Sequence, residues 1–372
     1  MRVLHVISSG GMYGAEAVIL NLSHALAEQR HSSMLGVFSN SAQPNLQLHQ
    51  RALQEGIESH LISCAGQIDL SVPEVIRQLA NKTQADVVHA HGYKADVYVY
   101  LAMKKWPIPI VSTCHGWIEP NAIVRLYGAL DRFLLRSYAG IVAVSEEVRQ
   151  KLLRAGVNQD RVRLIQNGID LKPYAAARRG IQNASEGDRP LQVGFVGRLS
   201  QEKGPDLFLR AAAEVLKEIP GTRFVVAGDG PEKAALESLM ESLKIREQVS
   251  LLGRTEDMPS FYASLDILVS SSRQEGLPIA LLEGMASGLP LVATAVGSVP
   301  EIVQRDRTGI LVPAENVQAL ASGIKELLQR PTLRQHCGSA AKALIAESYS
   351  ADRMAADYIS LYENVIAQKK HR

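Results

Sequence analysis

A chain of 372 residues exceeds what one ordinary hydrophobic core supports, so two domains of roughly 150–200 residues are the starting expectation. With 46% hydrophobic and 21% charged residues, the composition is that of a globular chain and excludes disordered and fibrous classes. The net charge is only +2, and no nucleic-acid partner is expected; Lys and Arg prevail in the first half, a bias that suits an anionic partner or arises from ordinary scatter.

Cys64, Cys114 and Cys337 stand far apart and give neither a disulfide framework nor metal-ligand spacing, which suits a reducing compartment. The opening "MRVLHVISSGG" is too short in its apolar run for a secretory leader. No apolar run approaches the ~20 residues that span a bilayer. A cytoplasmic location, or one at the inner face of the membrane, is the expectation.

In chain order the pattern is strand, loop, helix, repeated. "RVLHVIS" reads as a buried parallel strand, followed by glycine-rich "SGGMYGAE" and amphipathic "AVILNLSHALAEQ". "ADVVHAHG", "IPIVSTCHG" and "AGIVAVSEE" repeat the theme, and "RVRLIQNGID" closes it. Residues 1–171 therefore form one doubly wound α/β domain. Lys172–Pro190 is polar and aperiodic and reads as a linker. From 191 to 349 a second alternating set runs through "LQVGFVGRLS", "TRFVVAGDGP", "VSLLGR", "LDILVSSS", "LPLVATAVG" and "GILVP". Two such sets imply two doubly wound domains facing each other across a cleft. Residues 350–372 are helical in period and are expected to cross back onto the first domain. In open parallel sheets, ligands bind beyond the C-terminal strand ends.

Four stretches carry chemistry. In "GFVGRLSQEKGPD", Arg198 and Lys203 follow a strand beside Gly197 and Gly204; a planar fork and a point charge there suit a diphosphate, although two surface cations on a solvated loop give the same spacing. In "SGGMYGAE", Gly10, Gly11 and Gly14 allow close backbone approach ahead of a helix start, but the spacing fits the dinucleotide fingerprint only loosely. In "STCHGW", His115 lies where a strand meets a loop, a placement open to either a structural or a functional histidine. In "QEGLPIALLEGMASGLP", Pro278 suits a first helical turn and Gly288 a helix end. That leaves Glu275 in the loop and Glu283 inside the helix, with the amides of Gly276, Leu277 and Ile279 at the helix start. Carboxylates accept hydrogen bonds and sugars donate them, so both glutamates suit hydroxyl readout; two surface glutamates are the plain alternative.

Together "GGMYGAE", "TCHG", "AVSEEV", "IQNGID", "GRLSQEKG", "VAGDGP", "LLGR" and "SSRQEGLPIALLEGMASGLPLVATAVGSVPEIV" resemble the retaining GT-B glycosyltransferases of family 4 over nearly the full length. The resemblance implies two Rossmann-like domains and transfer of a hexose from a nucleotide-diphosphate sugar, UDP-linked by family frequency. It implies that Arg198 and Lys203 clamp the donor diphosphate. Glu283 then bonds the ribose, and Glu275, with Gly276, Leu277 and Pro278, meets the donor sugar. Gly11 and Gly14 approach the diphosphate, His115 contacts the donor sugar or supports the reaction, and Leu252 and Arg254 border the base. One departure is "EQRHSS", where the family often reads Gly-His.

No metal site and no cofactor are expected, since no Asp-x-Asp or His/Cys cluster stands in a cleft position. The resemblance implies retention by a front-face route in which the leaving phosphate takes the acceptor proton. The acceptor is expected to be a glycan or lipid-linked molecule of surface polysaccharide or lipopolysaccharide synthesis; a small soluble acceptor, or a non-catalytic sugar-nucleotide binder, are the alternatives. A nicotinamide dehydrogenase is disfavoured by the fingerprint spacing. In "NAIVRLYGALDRFLLRSYAG", Arg125, Arg132 and Arg136 fall on one helical face beside Leu126, Tyr127, Leu130, Phe133 and Leu134. That face suits weak peripheral contact with anionic lipid, and equally a packed helix with solvated arginines.

Overall fold

The computed structural model describes residues 1–9, 11–12, 14–40, 45–66, 68–114, 128, 130–181 and 189–370. The chain divides into two units, one of Met1–Gly168 with Ala351–Arg372 and one of Ile169–Ser350.

In the first unit the strands are β1 (Arg2–Ile7), β2 (Ser32–Asn40), β3 (Glu58–Cys64), β4 (Val87–His91), β5 (Ile110–Cys114), β6 (Gly140–Ala143) and β7 (Val162–Leu164). Among the described residues they form one seven-stranded sheet in the order β3-β2-β1-β4-β5-β6-β7, with every pairing parallel. A parallel sheet needs helices on both faces, so its inner strands read as unbroken apolar runs. Accordingly β4, β5 and β6 are buried at every position. Val3, Leu4 and Val6 of β1 are likewise fully enclosed. Ser145 caps the helix Glu146–Arg154 by accepting from the Val148 amide, which starts that helix sharply after β6.

The C-terminal helix Ala351–Lys370 belongs to this unit. It lies on the helix Gly14–Glu28 and on β6. Gly140 makes the approach possible, because a Cβ there would stand 2.9 Å from Leu361 Cδ1. Tyr358 and Tyr362 carry their hydroxyls into the core. Tyr362 lies 2.7 Å from His89 Nδ1, and Tyr358 lies 2.8 Å from Thr113 Oγ1, which also meets His89 Nε2 at 2.8 Å.

In the second unit β8 (Gln192–Val196), β9 (Arg223–Ala227), β10 (Val249–Gly253), β11 (Ile267–Ser270), β12 (Leu291–Thr294) and β13 (Gly309–Val312) form a six-stranded parallel sheet among the described residues. Its order is β10-β9-β8-β11-β12-β13. The core under it holds Phe195, Phe208 and Phe224 with ring centroids 5.6 and 5.8 Å apart. In both sheets the order reverses beside the first strand, the doubly wound arrangement read from the sequence.

Two local expectations change. The stretch that reads as a linker, Lys172–Pro190, is helical over Lys172–Ile181 and belongs to the second unit. Three consecutive alanines favour the helix, and Tyr174 anchors it by burying its ring. The short polar surroundings conceal that single anchor from any periodicity. The proposed arginine helix also ends early: 131–134 is helical, but Leu135–Ser137 is a 3₁₀ turn. Arg136 sits in that turn and donates to the Ala155 carbonyl at 2.6 and 3.1 Å, so it closes the end of a neighbouring helix and does not extend a cationic stripe. Arg125, Leu126 and Tyr127 lie outside the described residues, while Leu130 and Phe133 are exposed.

Candidate active site

The strand order of the second sheet reverses between β8 and β11, and Arg198, Lys203, Glu275 to Pro278 and Glu283 follow the C-terminal ends of these two strands. After β8 the chain runs through Gly197, Arg198 and Leu199 into a 3₁₀ turn, Gln201–Lys203. Gly204 follows with φ +63°, a left-handed conformation that turns the chain into the helix Pro205–Leu216. A Cβ on Gly204 would stand 2.2 Å from the Ser271 carbonyl oxygen, and Ser271 Oγ donates to the Gly204 carbonyl at 2.7 Å. The β8 loop is thereby fastened to the end of β11.

The second fastening is Arg273. Its guanidinium donates to both carboxylate oxygens of Asp206, at 2.8 and 2.9 Å, and to the Gln201 carbonyl at 2.9 Å. This hydrogen-bonded pairing holds the Asp206 carboxyl below the usual carboxylate range. The turn that carries Lys203 is thus held from below by a planar, two-pronged contact.

Above it, Lys203 Nζ lies 2.7 Å from each oxygen of Glu275. Ser272 Oγ donates to Glu275 Oε1 at 2.7 Å. The Glu275 side chain is only 7% exposed, against 29% for Lys203. The pair brings together two residues that stand far apart in sequence. Glu275 is set by its own backbone as well: Gly297, at φ +52°, passes so close that a Cβ would lie 1.9 Å from the Glu275 carbonyl oxygen. The Ser298 amide donates to the Gly276 carbonyl. Arg198 projects from the same loop and is exposed. Its backbone is braced by the "GDG" turn, where the Leu199 amide donates to Asp229 and a Cβ on Gly228 would meet the Gly197 oxygen at 1.8 Å.

The helix Ile279–Ala286 begins directly after Pro278, which occupies the capping position rather than the first turn. Leu277 and Pro278 are buried, Gly276 is exposed, and Gly288 ends the helix at φ +74°. Glu283 stands inside this helix, half-buried. Its Oε2 accepts from the Tyr262 hydroxyl at 2.8 Å, and the Tyr174 hydroxyl also donates to it. Burial pushes the Glu283 carboxyl up, and the two phenolic donors oppose that rise. Leu252, 50% exposed, and Arg254, also exposed, follow one another around Gly253 at the end of β10.

In the first unit, Gly11 is buried beside Ser9, whose hydroxyl donates to the Gly11 carbonyl at 2.8 Å; Gly14 opens the helix that follows. His115 lies outside the described residues. One histidine group sits deeper: His5, His89 and His91 hold ring nitrogens within 4.8 Å of one another. His5 Nδ1 meets His91 Nε2 at 3.0 Å, and both nitrogens of His89 face hydroxyls. These bonds describe an internal polar lock tied to the C-terminal helix.

Sequence reasoning missed Ser272, Arg273, Tyr262 and Tyr174. The first two lie inside the quoted "SSRQEG" and were legible as polar residues at a strand end. Tyr262 in "SFYASLD" and Tyr174 gave no signal, since a tyrosine in an apolar helix reads as core.

The model of "Glycosyl transferases group 1" matches residues 179–344, and that of "Glycosyltransferase Family 4" matches residues 12–173. The alpha-D-kanosaminyltransferase of Streptomyces kanamyceticus is 30% identical over 298 residues, covering 75% of this chain and 77% of that one. The N-acetyl-alpha-D-glucosaminyl L-malate synthase of Bacillus anthracis is 24% identical over 98% of this chain and 96% of its own length. Among solved structures, Anabaena Alr3699/HepE in complex with UDP superposes with a TM-score of 0.84 at 20% identity, over 98% of this chain and all of that one. The chain belongs to glycosyltransferase family 4 and is a retaining glycosyltransferase of GT-B fold.

Proposed function

We propose that this enzyme moves a hexose from a UDP-linked donor to a glycan or glycolipid acceptor of surface polysaccharide synthesis, on the cytoplasmic side of the membrane. The observation that carries the donor half is the gathering of Lys203, Glu275, Ser272 and Glu283 around one helix start at the point where the second sheet reverses. A diphosphate needs cations, a hexose and a ribose need acceptors, and this sheet end supplies both. The Anabaena neighbour was solved with UDP and with UDP-glucose, which favours uridine among the bases.

In this reading Arg198 and Lys203 take the charge that develops as the bond from the anomeric carbon to phosphate oxygen breaks. The acceptor oxygen bonds to the anomeric carbon on the face the diphosphate leaves, and its proton passes to the departing phosphate oxygen. Glu275 accepts from donor-sugar hydroxyls while Lys203 links it to the diphosphate. Glu283 accepts from the ribose, and the Gly276 and Leu277 amides face the sugar or phosphate. Leu252 with Arg254 borders the base, and for Gly11, Gly14 and His115 the roles are those the family resemblance implies.

A small soluble acceptor is the second reading, favoured by relatives named for inositol 3-phosphate and for malate. Thermal-shift screening against UDP-, GDP- and ADP-sugars tests the donor, and the anomeric proton coupling of the product tests retention. Stabilisation by ADP- or GDP-sugars alone would overturn the uridine assignment. Transfer to inositol phosphate or malate, with none to polyprenyl-linked glycans, would select the second reading.

A further inference from the structure

Glu283 occupies an unusual place for a group that must meet a polar ligand. Burial raises its carboxyl, yet a neutral acid is a weaker acceptor for hydroxyls than a carboxylate. Two tyrosines answer that problem. Tyr262, fully buried on the helix Met258–Ser264, puts its hydroxyl 2.8 Å from Glu283 Oε2. Tyr174, from the helix Lys172–Ile181, donates to the same carboxyl. The two rings meet edge to face, 6.0 Å apart at 62°, so each fixes the other. Phe261 packs on the outer side of Tyr262 at 5.9 Å.

We propose that Tyr262 and Tyr174 are positioning residues for Glu283: they lock its rotamer by hydrogen bonding, Tyr262 through Oε2, so that the carboxylate is presented preformed to a vicinal diol of the donor. The inference rests on the reading of Glu283 as the ribose acceptor. Phenolic donors suit the task because they favour the charged form without adding a competing cation. A tyrosine carries only two side-chain torsions, and packing fixes both here, so little ordering remains when ligand arrives. The helix Lys172–Ile181 becomes part of the donor apparatus through this contact.

The test is calorimetric titration of the full chain with the nucleoside diphosphate that stabilises it most among UDP, GDP and ADP, and with its 2′,3′-dideoxy form. The ratio of the two dissociation constants reads the ribose contact alone. In the wild type the dideoxy form is expected to bind about tenfold more weakly, the size of a hydrogen bond to a charged group. Glu283→Gln is expected to bring that ratio close to one. Tyr262→Phe and Tyr174→Phe keep the packing rings, and each is expected to shrink the ratio to about threefold. In the Glu283→Gln background neither substitution has any further effect on the ratio. A ratio unchanged by Glu283→Gln would overturn the ribose reading and the inference with it. A ratio abolished by Glu283→Gln but left at its full value in both Phe variants would overturn the inference while that reading stands.

Discussion

Lys203 places its ammonium 2.7 Å from both oxygens of Glu275, so the cation and the carboxylate of the candidate site neutralise each other before any donor arrives. Glu275 is the more enclosed partner, at 7% exposure. Removing the cation leaves a carboxylate with little water around it, which is the expensive way to break such a pair. Lys203→Ala is expected to lower stability by about 3 kcal/mol and turnover by roughly 10²–10³-fold. Adding Glu275→Gln restores most of the stability and none of the turnover. Denaturant midpoints and rates for the single and double variants decide it, and recovery of both together would refute the division of roles.

Gly297 is the residue behind Glu275. Its left-handed φ of +52° and the 1.9 Å approach of a built Cβ to the Glu275 carbonyl leave no space for a side chain. Gly297→Ala is therefore expected to displace the loop that carries Glu275 and Gly276 and to cost about 1–3 kcal/mol in strain. Donor affinity falls with it, while an alanine at Gly221, where nothing stands within 4 Å, is the neutral control. Unaltered donor binding in Gly297→Ala would show that the loop tolerates movement.

Two buried acid–base features in the first unit set opposing pH dependences. Burial holds His5 down at about 3, so it stays neutral in the folded chain where an unfolded histidine protonates near 6.5. That contribution is complete above pH 6.5 and is lost as pH falls below it, at up to about 1.4 kcal/mol per unit. Asp96 is pushed well up, first by burial and then by the neighbouring Asp131, with Cys114 and Tyr138 beside them. The folded chain keeps that proton where an unfolded aspartate has released it. Its contribution is present at low pH and is lost as pH rises past about 4. Above about pH 4 and below about 6.5 the two slopes oppose each other. Asp96→Asn removes one, so its urea stability is expected to fall more steeply on acidification through that window than that of the wild type. Parallel curves for the two proteins would contradict the assignment.

The Tyr362 hydroxyl, 2.7 Å from His89 Nδ1, ties the C-terminal helix to β4. Tyr362→Phe keeps the ring and removes the bond, at an expected cost of about 1–2 kcal/mol. Urea unfolding of the variant measures it, and an unchanged midpoint would assign the anchoring to packing alone.

Much of this was legible from residues. The apolar runs ending in glycine or small polar residues predicted β1, β4, β8 and β11 because parallel strands covered on both faces cannot alternate. The spacing of Glu275 and Glu283 around Pro278 placed one in a loop and the other in a helix, and there they stand. What was not legible depends on contacts between distant parts of the chain. Nothing in "GRLSQEKG" announces that Lys203 will meet Glu275 or that Asp206 will take both prongs of Arg273. Tyr174 shows the limit most clearly: one ring, in a stretch too short and polar to show a period, makes a helix of what reads as a linker.

The return of Ala351–Lys370 to the first unit has a consequence for biosynthesis. A ribosome completes residues 1–168 long before it adds Tyr358 and Tyr362, whose hydroxyls meet Thr113 and His89. The nascent first unit must therefore wait with that part of its interior open to water. Ile169–Ser350 is contiguous and is able to close as it emerges. The half made second is the half finished first, and loss of the last few turns of the chain at the C-terminus damages the domain at its beginning.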